Sequence, residues 1–143
     1  MNEKIVLRYE VDPNDFTRAG EASSNVKRRL KLLGVDPDIV RKVAISLYEG
    51  EINMVIHSYG GIIEVIISPE EIEMILTDKG PGIEDIELAM QAGYSTAPDN
   101  IRNLGFGAGM GLPNMKKYSD EFNIESTVGV GTTVKMKVFI PKE

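Results

Sequence analysis

At 143 residues, with 22 acidic against 16 basic side chains, a formal charge of -6 and no cysteine, the chain has the size of one domain and can bury a core without disulfide or metal staples. The acidic balance would repel a phosphate backbone and leaves no basic stripe for nucleic acid, while the missing cysteines remove disulfides, thiolate metal sites and a thiol nucleophile. "MNEKIVLRYEV" has no positively charged segment followed by an apolar one, and no uncharged apolar run approaches the ~18 residues of a membrane span, so the expectation is a soluble, cytoplasmic protein that contacts neither membrane nor nucleic acid.

"KIVLRYEV", rich in β-branched residues and closed by Asp12-Pro13, predicts a first strand. From Asn14 or Asp15 to Leu33 the pattern turns helical, with Phe16, Ala19, Val26, Leu30 and Leu33 at mostly three-and-four spacing and Gly34 as a stop. Asp36 caps a second helix with Pro37 in its first turn, running to about His57. In that helix "YEGEINMVIHSYGG" sets Glu49, Asn53 and His57 four residues apart. On a wheel of ~100° per residue, Ile45, Ile52 and Ile56 lie to one side of Glu49, with Tyr48 and Val55 beyond them and Asn53 on the other side. Glu49 and Asn53 thus sit at the edge of a buried stripe, and for either one alone an ordinary solvated polar face is the favoured reading. Gly50, beside Glu49, costs about 1 kcal/mol of helix propensity against alanine.

"GGIIEVIIS" and "EIEMILTD" flank the turn Pro69 to Glu71 and predict a hairpin. Residues 79 to 114 then hold seven of the fourteen glycines, broken by a short helical stretch "EDIELAMQA", which suggests a functional segment rather than scaffold. "LPNMKKYS" resumes helix, and "EFNIESTV" and "GTTVKMKVFI" around "GVG" predict a closing hairpin. The fold class that follows is α/β, a two-layer sandwich of a mixed, mostly antiparallel sheet with helices on one face, residues 1–143 forming one domain.

Four short motifs carry the chemistry. "TDKGPGI" puts Asp78 at a strand end, where a carboxylate accepts hydrogen bonds from an exocyclic amine, and Gly80 and Gly82 after it let the backbone approach a flat ring. Taken alone, D-x-G-x-G is equally a strand-ending turn. "GFGAGMGL", residues 105–112, places alternating glycines before a helix start, where amides and the helix dipole favour phosphate. A flexible loop is its bland reading; no strand immediately precedes it as a dinucleotide fingerprint requires, and no G-x-x-x-x-G-K-[ST] loop occurs. "GVGTTV" sets Thr132 and Thr133 at the entry to the last strand, favourable β residues in their own right.

Together and in this order, the pieces resemble the GHKL (Bergerat-fold) ATPase and kinase superfamily over nearly the whole chain. Glu49 and Asn53 are similar to its N box, Asp78 to Gly82 to its G1 box, Gly109 to Leu112 to its G2 box, and Gly129 to Thr132 to its last glycine-threonine element. "SLYEGEINMVIHSYGG", "DKGPGIEDIELAMQAGYSTAPD" and "GMGLPNMKKYSDEFNIESTVGVGTTV" are most similar to the small bacterial anti-sigma factors that are also serine kinases. The resemblance implies ATP or ADP with Mg²⁺. Asn53 would be the metal ligand, Asp78 the reader of the adenine amino group with help from Thr132 or Thr133, and Glu49 the catalytic group that orients or deprotonates an attacking hydroxyl. Gly80, Gly82 and Ile83 would line the base, and Gly109, Met110, Gly111 and Leu112 the phosphates. Arg102 in the lid would reach the γ-phosphate, a solvated loop charge being its other reading, and Gly105 and Gly107 would be further phosphate contacts. His57 is read as structural.

The resemblance further implies a serine/threonine protein kinase that regulates transcription by partner switching. It would hold a sigma factor or similar regulator and phosphorylate a small antagonist protein, as a homodimer. Two rivals stand beside it: a nucleotide-gated binding module with little catalysis and a non-sigma partner, and a free-standing histidine-kinase catalytic domain.

Overall fold

The computed structural model describes residues 4–13, 15, 17–91 and 111–141. Its elements are β1 (Ile5–Val11), α1 (Glu21–Leu32), α2 (Pro37–His57), β2 (Gly61–Ile67), β3 (Glu71–Lys79), α3 (Ile86–Ala89), α4 (Gly111–Tyr118), β4 (Glu121–Thr127) and β5 (Gly131–Phe139). The strands form one sheet in the order β1-β2-β3-β5-β4, and every described pairing is antiparallel. The mostly antiparallel sheet with helices on one face is therefore borne out.

Strand register explains where the core sits. Alternate residues of a strand share a face, so Leu7, Val65, Met74, Met136 and Phe122 form one row across the sheet, and Tyr9, Ile63, Leu76, Val134 and Ile124 the next. These rows pack with Val26 and Leu30 of α1, Val43 and Leu47 of α2, and Met115 of α4 into one buried cluster. Such continuous apolar burial, at about 25 cal/mol per Å² removed from water, is the main force holding the layers together. On the other face Arg8, Glu64, Ile75 and Lys135 alternate charge with half-buried aliphatic side chains.

α2 crosses this sheet at very short range, and Gly50 is the reason. A Cβ built on Gly50 would stand 2.4 Å from Leu76 Cδ2 and 3.4 Å from Met115 Sδ. The propensity cost read from the sequence is offset by letting the helix sit down between β3 and α4. Asp36 caps α2 as expected, its carboxylate accepting the Asp38 N–H at 2.8 Å, with Pro37 in the first turn.

Three expectations change. α1 starts at Glu21, not at residue 14 or 15: residues 17–20 are turns and bends, and Gly20 at φ +91° cannot continue a helix. Leu33 is half-exposed rather than a core position, because α1 has already ended. "EDIELAMQA" yields only the single turn of α3, capped by Asp85 on the Leu88 N–H. Phe16 lies outside the described residues.

Candidate functional site

The third row of the sheet breaks the pattern of the first two. Continuing the register gives Val11, Gly61, Asp78, Thr132 and Ser126, so that the apolar row is replaced at its centre by glycine, carboxylate and hydroxyls. Asp78 Oδ1 accepts the Thr132 N–H at 3.1 Å. The Thr132 and Ser126 hydroxyls are 2.8 Å apart, and Ser126 Oγ accepts the Ile83 N–H at 2.8 Å. Burial at the end of the covered face raises the Asp78 pKa above the usual aspartate range, and the Thr132 hydrogen bond only partly offsets this. A half-buried carboxylate with one oxygen engaged by a backbone N–H keeps further acceptor capacity for a donor at this corner.

The loop after Asp78 is tied down on both sides. The Gly80 N–H donates to Val130 O at 3.1 Å and the Gly129 N–H to Pro81 O at 2.8 Å, which stitches the loop to the β4–β5 turn. Gly82 takes φ +77°, and a Cβ there would stand 2.5 Å from Thr127 O, so that only glycine fits both conformation and space. Gly80 is buried, and a Cβ on it would stand 3.1 Å from Ser58 Cα. Its missing side chain thus serves the packing of the α2 end.

The second half of the site is the seam between α2 and α4. A Cβ on Gly111 would stand 3.0 Å from Asn53 Oδ1, which puts the first residue of α4 directly against the Asn53 amide. One turn on, Met115 lies over Gly50. Contact pairs 53–111 and 50–115 run in opposite senses, so the helices are antiparallel and Glu49 falls opposite Asn114. The Asn114 side-chain amide hydrogen-bonds to the Glu49 carboxylate and lowers its pKa; burial is the larger effect and leaves Glu49 above the usual glutamate range. Such a carboxylate holds a proton better than an exposed one, which suits a base.

Sequence reasoning expected Tyr48 in the buried stripe of α2, yet it is 40% exposed. It missed Glu51, which is 3% exposed. α2 is wedged between α1, α4 and the sheet, so its buried arc is wider than a one-sided stripe. Asn114 and Ser126 were missed as well: a lone polar residue in a short helix or strand gives no signal until its partner is placed.

Of the sequence candidates, the structure brings Asp78, Gly82, Ile83 and Thr132 to one corner, and Glu49, Asn53 and Gly111 to the adjoining seam. Thr133 does not join them. It pairs with Thr77 on the opposite face, because successive strand residues alternate. The Leu112 side chain is buried in the core, so any phosphate contact from it is through its backbone. His57 closes α2 one turn beyond Asn53. Arg102, Gly105, Gly107, Gly109 and Met110 lie outside the described residues. Among the described residues no group of three or more His, Asp or Glu stands ready to hold a metal, and no helix is long and apolar enough to cross a membrane.

Residues 13–138 match the model of the histidine kinase-like ATPase domain. The chain is 37% identical over 113 residues to the anti-sigma F factor of Thermoanaerobacter sp. (strain X514), covering 74% of this chain and 76% of that one. It is 36% identical over 116 residues to that of Geobacillus kaustophilus (strain HTA426), covering 76% of each. With that of Clostridium botulinum (strain Alaska E43 / Type E3) it shares 35% over 125 residues, 82% of this chain and 84% of the relative.

Proposed function

The chain belongs to the histidine kinase-like ATPase family as an ATP-binding serine/threonine kinase of the anti-sigma type, and from that premise we propose which of its residues do the work. The supporting observation is the third sheet row, where Asp78, Thr132 and Ser126 replace hydrophobic side chains beside the α2–α4 seam that holds Glu49, Asn53 and Gly111. Adenine enters the corner at Asp78, whose second oxygen accepts from the exocyclic amine while the Thr132 N–H holds the first. Gly82 and Ile83 line the base. The phosphates run toward the start of α4, where backbone N–H groups and the helix dipole favour anions.

Asn53 fits a magnesium site of the sparse kind, since this ion takes few protein ligands and keeps its waters and the phosphates as the rest. Bound there, Mg²⁺ would neutralise charge on the phosphates. Glu49, across from Asn114, accepts the proton of a serine or threonine hydroxyl as its oxygen attacks the γ-phosphorus. The new O–P bond forms as the bond to the β-phosphate oxygen breaks, and ADP leaves. Fixed geometry is the protein's main contribution to such a step.

The regulated partner is a sigma factor or similar regulator, in line with the relatives' name, and the hydroxyl belongs to a small antagonist protein. The whole chain acts as one ATP-binding domain in the cytoplasm, without direct contact to nucleic acid. Exposed Ile5 and Val6 on edge strand β1 support a homodimer. Calorimetric titration with Mg-ATP and Mg-ADP, wild type beside Asp78→Asn, tests the site. The expected result is binding to the wild type that disappears in the variant; equal affinity of the two removes the adenine role from Asp78.

A further inference from the structure

Between Glu49 and Asn53 on the same helix sits a third polar residue that the reaction does not use. Glu51 points about 200° around α2 from each of them, away from the seam with α4 and toward α1. Its two carboxylate oxygens accept the first free amides of α1: Oε2 from Ala22 N–H at 3.1 Å and Oε1 from Ser23 N–H at 3.0 Å. α1 has no cap of its own, since its N-cap residue is Gly20. None of the ion pairs found among the described residues involves Glu51. Its buried charge is met by the positive end of α1.

That end has two further ties: the Tyr9 hydroxyl donates to Asn25 Oδ1 from β1, and Ser23 Oγ donates to Gly20 O at 3.0 Å. Arg18 makes two 3.4 Å ion pairs, to Asp12 and Glu21, all three side chains more than half exposed, and such pairs contribute little. A cavity of about 550 Å³ opens between β1 and the start of α1, lined by Tyr9, Asp12, Asn25, Arg28 and Glu51. From α2 the first turn of α1 is held by the Glu51 fork, the contact that grips its Ala22 and Ser23 amides, and by Tyr48, whose ring would be 3.1 Å from a Cβ on Gly20.

We propose that Glu51 is a positioning residue that carries the state of the nucleotide face of α2 through the helix to the first turn of α1. This rests on the reading that Glu49 and Asn53 face ATP. The three side chains share a single helical turn and a half of backbone, and a two-pronged hydrogen bond is sensitive to small rotations or shifts of its donors. Nucleotide engaging Asn53 on one side fixes the fork on the other, so α1 frays when the site is empty and closes when it is filled. By reciprocity, loosening α1 weakens nucleotide binding by the same factor.

The test is amide hydrogen exchange of residues 21–24 in the full chain, with and without saturating Mg-ADP, for the wild type and Glu51→Gln. Calorimetry on the same samples reports affinity. In the wild type, exchange at Ala22 and Ser23 slows by about tenfold with nucleotide, within the usual range of coupling between sites. In Glu51→Gln, exchange is fast in both states, nucleotide no longer changes it, and affinity falls by a comparable factor. If Glu51→Gln does not fold, Glu51→Asp keeps the charge, shortens the reach, and is read the same way. Binding of Mg-ADP without a change at Ala22 and Ser23 overturns the coupling alone, as does a wild-type response in the variant. Absence of Mg-ADP binding to the wild type overturns the nucleotide reading and the coupling with it.

Discussion

Two glutamates separated by one residue on α2 show how a shared chemistry diverges with its surroundings. Glu51 is fully buried, and both its oxygens are engaged by backbone donors at the end of a helix. Glu49 is half-buried, has the Asn114 amide as its partner, and carries a pKa raised mainly by burial. A carboxylate satisfied on every side contributes structure and gives up reactivity. One left short of partners is destabilising where it sits and available for chemistry, which is how function is usually retained at the expense of stability.

The sharpest way to break that contrast is to truncate both residues. Glu49→Ala is expected to cut phosphoryl transfer to a protein hydroxyl by about 10²- to 10⁴-fold, measured with labelled ATP, while urea unfolding stays near wild type. A Glu49→Ala enzyme that turns over normally would remove Glu49 as the base. Glu51→Ala strands two buried N–H groups and is expected to lower the unfolding free energy by about 2–3 kcal/mol. An unchanged urea midpoint would show that α1 is held by something other than the fork.

Asp78 extends the comparison to the sheet. Its pKa is raised by burial, so the native state binds its proton more tightly than the unfolded chain. The associated stability is present below the ordinary aspartate pKa and is lost as pH rises through the native one. Asp78→Asn keeps an oxygen for the Thr132 N–H and removes the charge. It is therefore expected to unfold at the same or a higher temperature than the wild type at neutral pH, even where nucleotide binding is lost. Wild-type ATP affinity should fall on acidification from a higher pH than an exposed aspartate would give. A marked loss of thermal stability in Asp78→Asn would contradict this account.

Two smaller effects test the close approaches around Glu49. Gly50→Ala gains about 1 kcal/mol of helix propensity and loses about 1–3 kcal/mol in displacing Leu76, a net loss of about 1 kcal/mol readable by calorimetric unfolding. Asn114→Ala removes the group that holds the Glu49 pKa down. The acidic limb of the rate profile should then move to higher pH, with ATP affinity little changed. An unmoved limb would mean that the amide does not act on the reacting carboxylate.

Much of this is legible in the sequence alone. The Asp36 cap, the two hairpins and the glutamate–asparagine pair of α2 are local patterns, and local patterns survive folding. The start of α1 is not, because Ala19 extends the helical spacing into turns that end at Gly20. Nor is Glu51: its donors are 28 and 29 residues away, and nothing in "EGEIN" distinguishes a carboxylate that caps another helix from one that faces water. The difference between Thr132 and Thr133 could have been found, since strand alternation assigns the two to opposite faces once Asp78 is set against Thr132.

The strand order also sets when the site can exist. Asp78 lies on the central strand, but its partner Thr132 comes from β5, 54 residues later in the chain. During synthesis the earlier strands and helices can collapse while the corner at Asp78 still lacks one wall. Long-range pairing of this kind is the slow part of folding. If Asp78 and Thr132 hold the base as proposed, a chain interrupted before residue 131 would not retain nucleotide, and nucleotide retention would report that translation had passed β5.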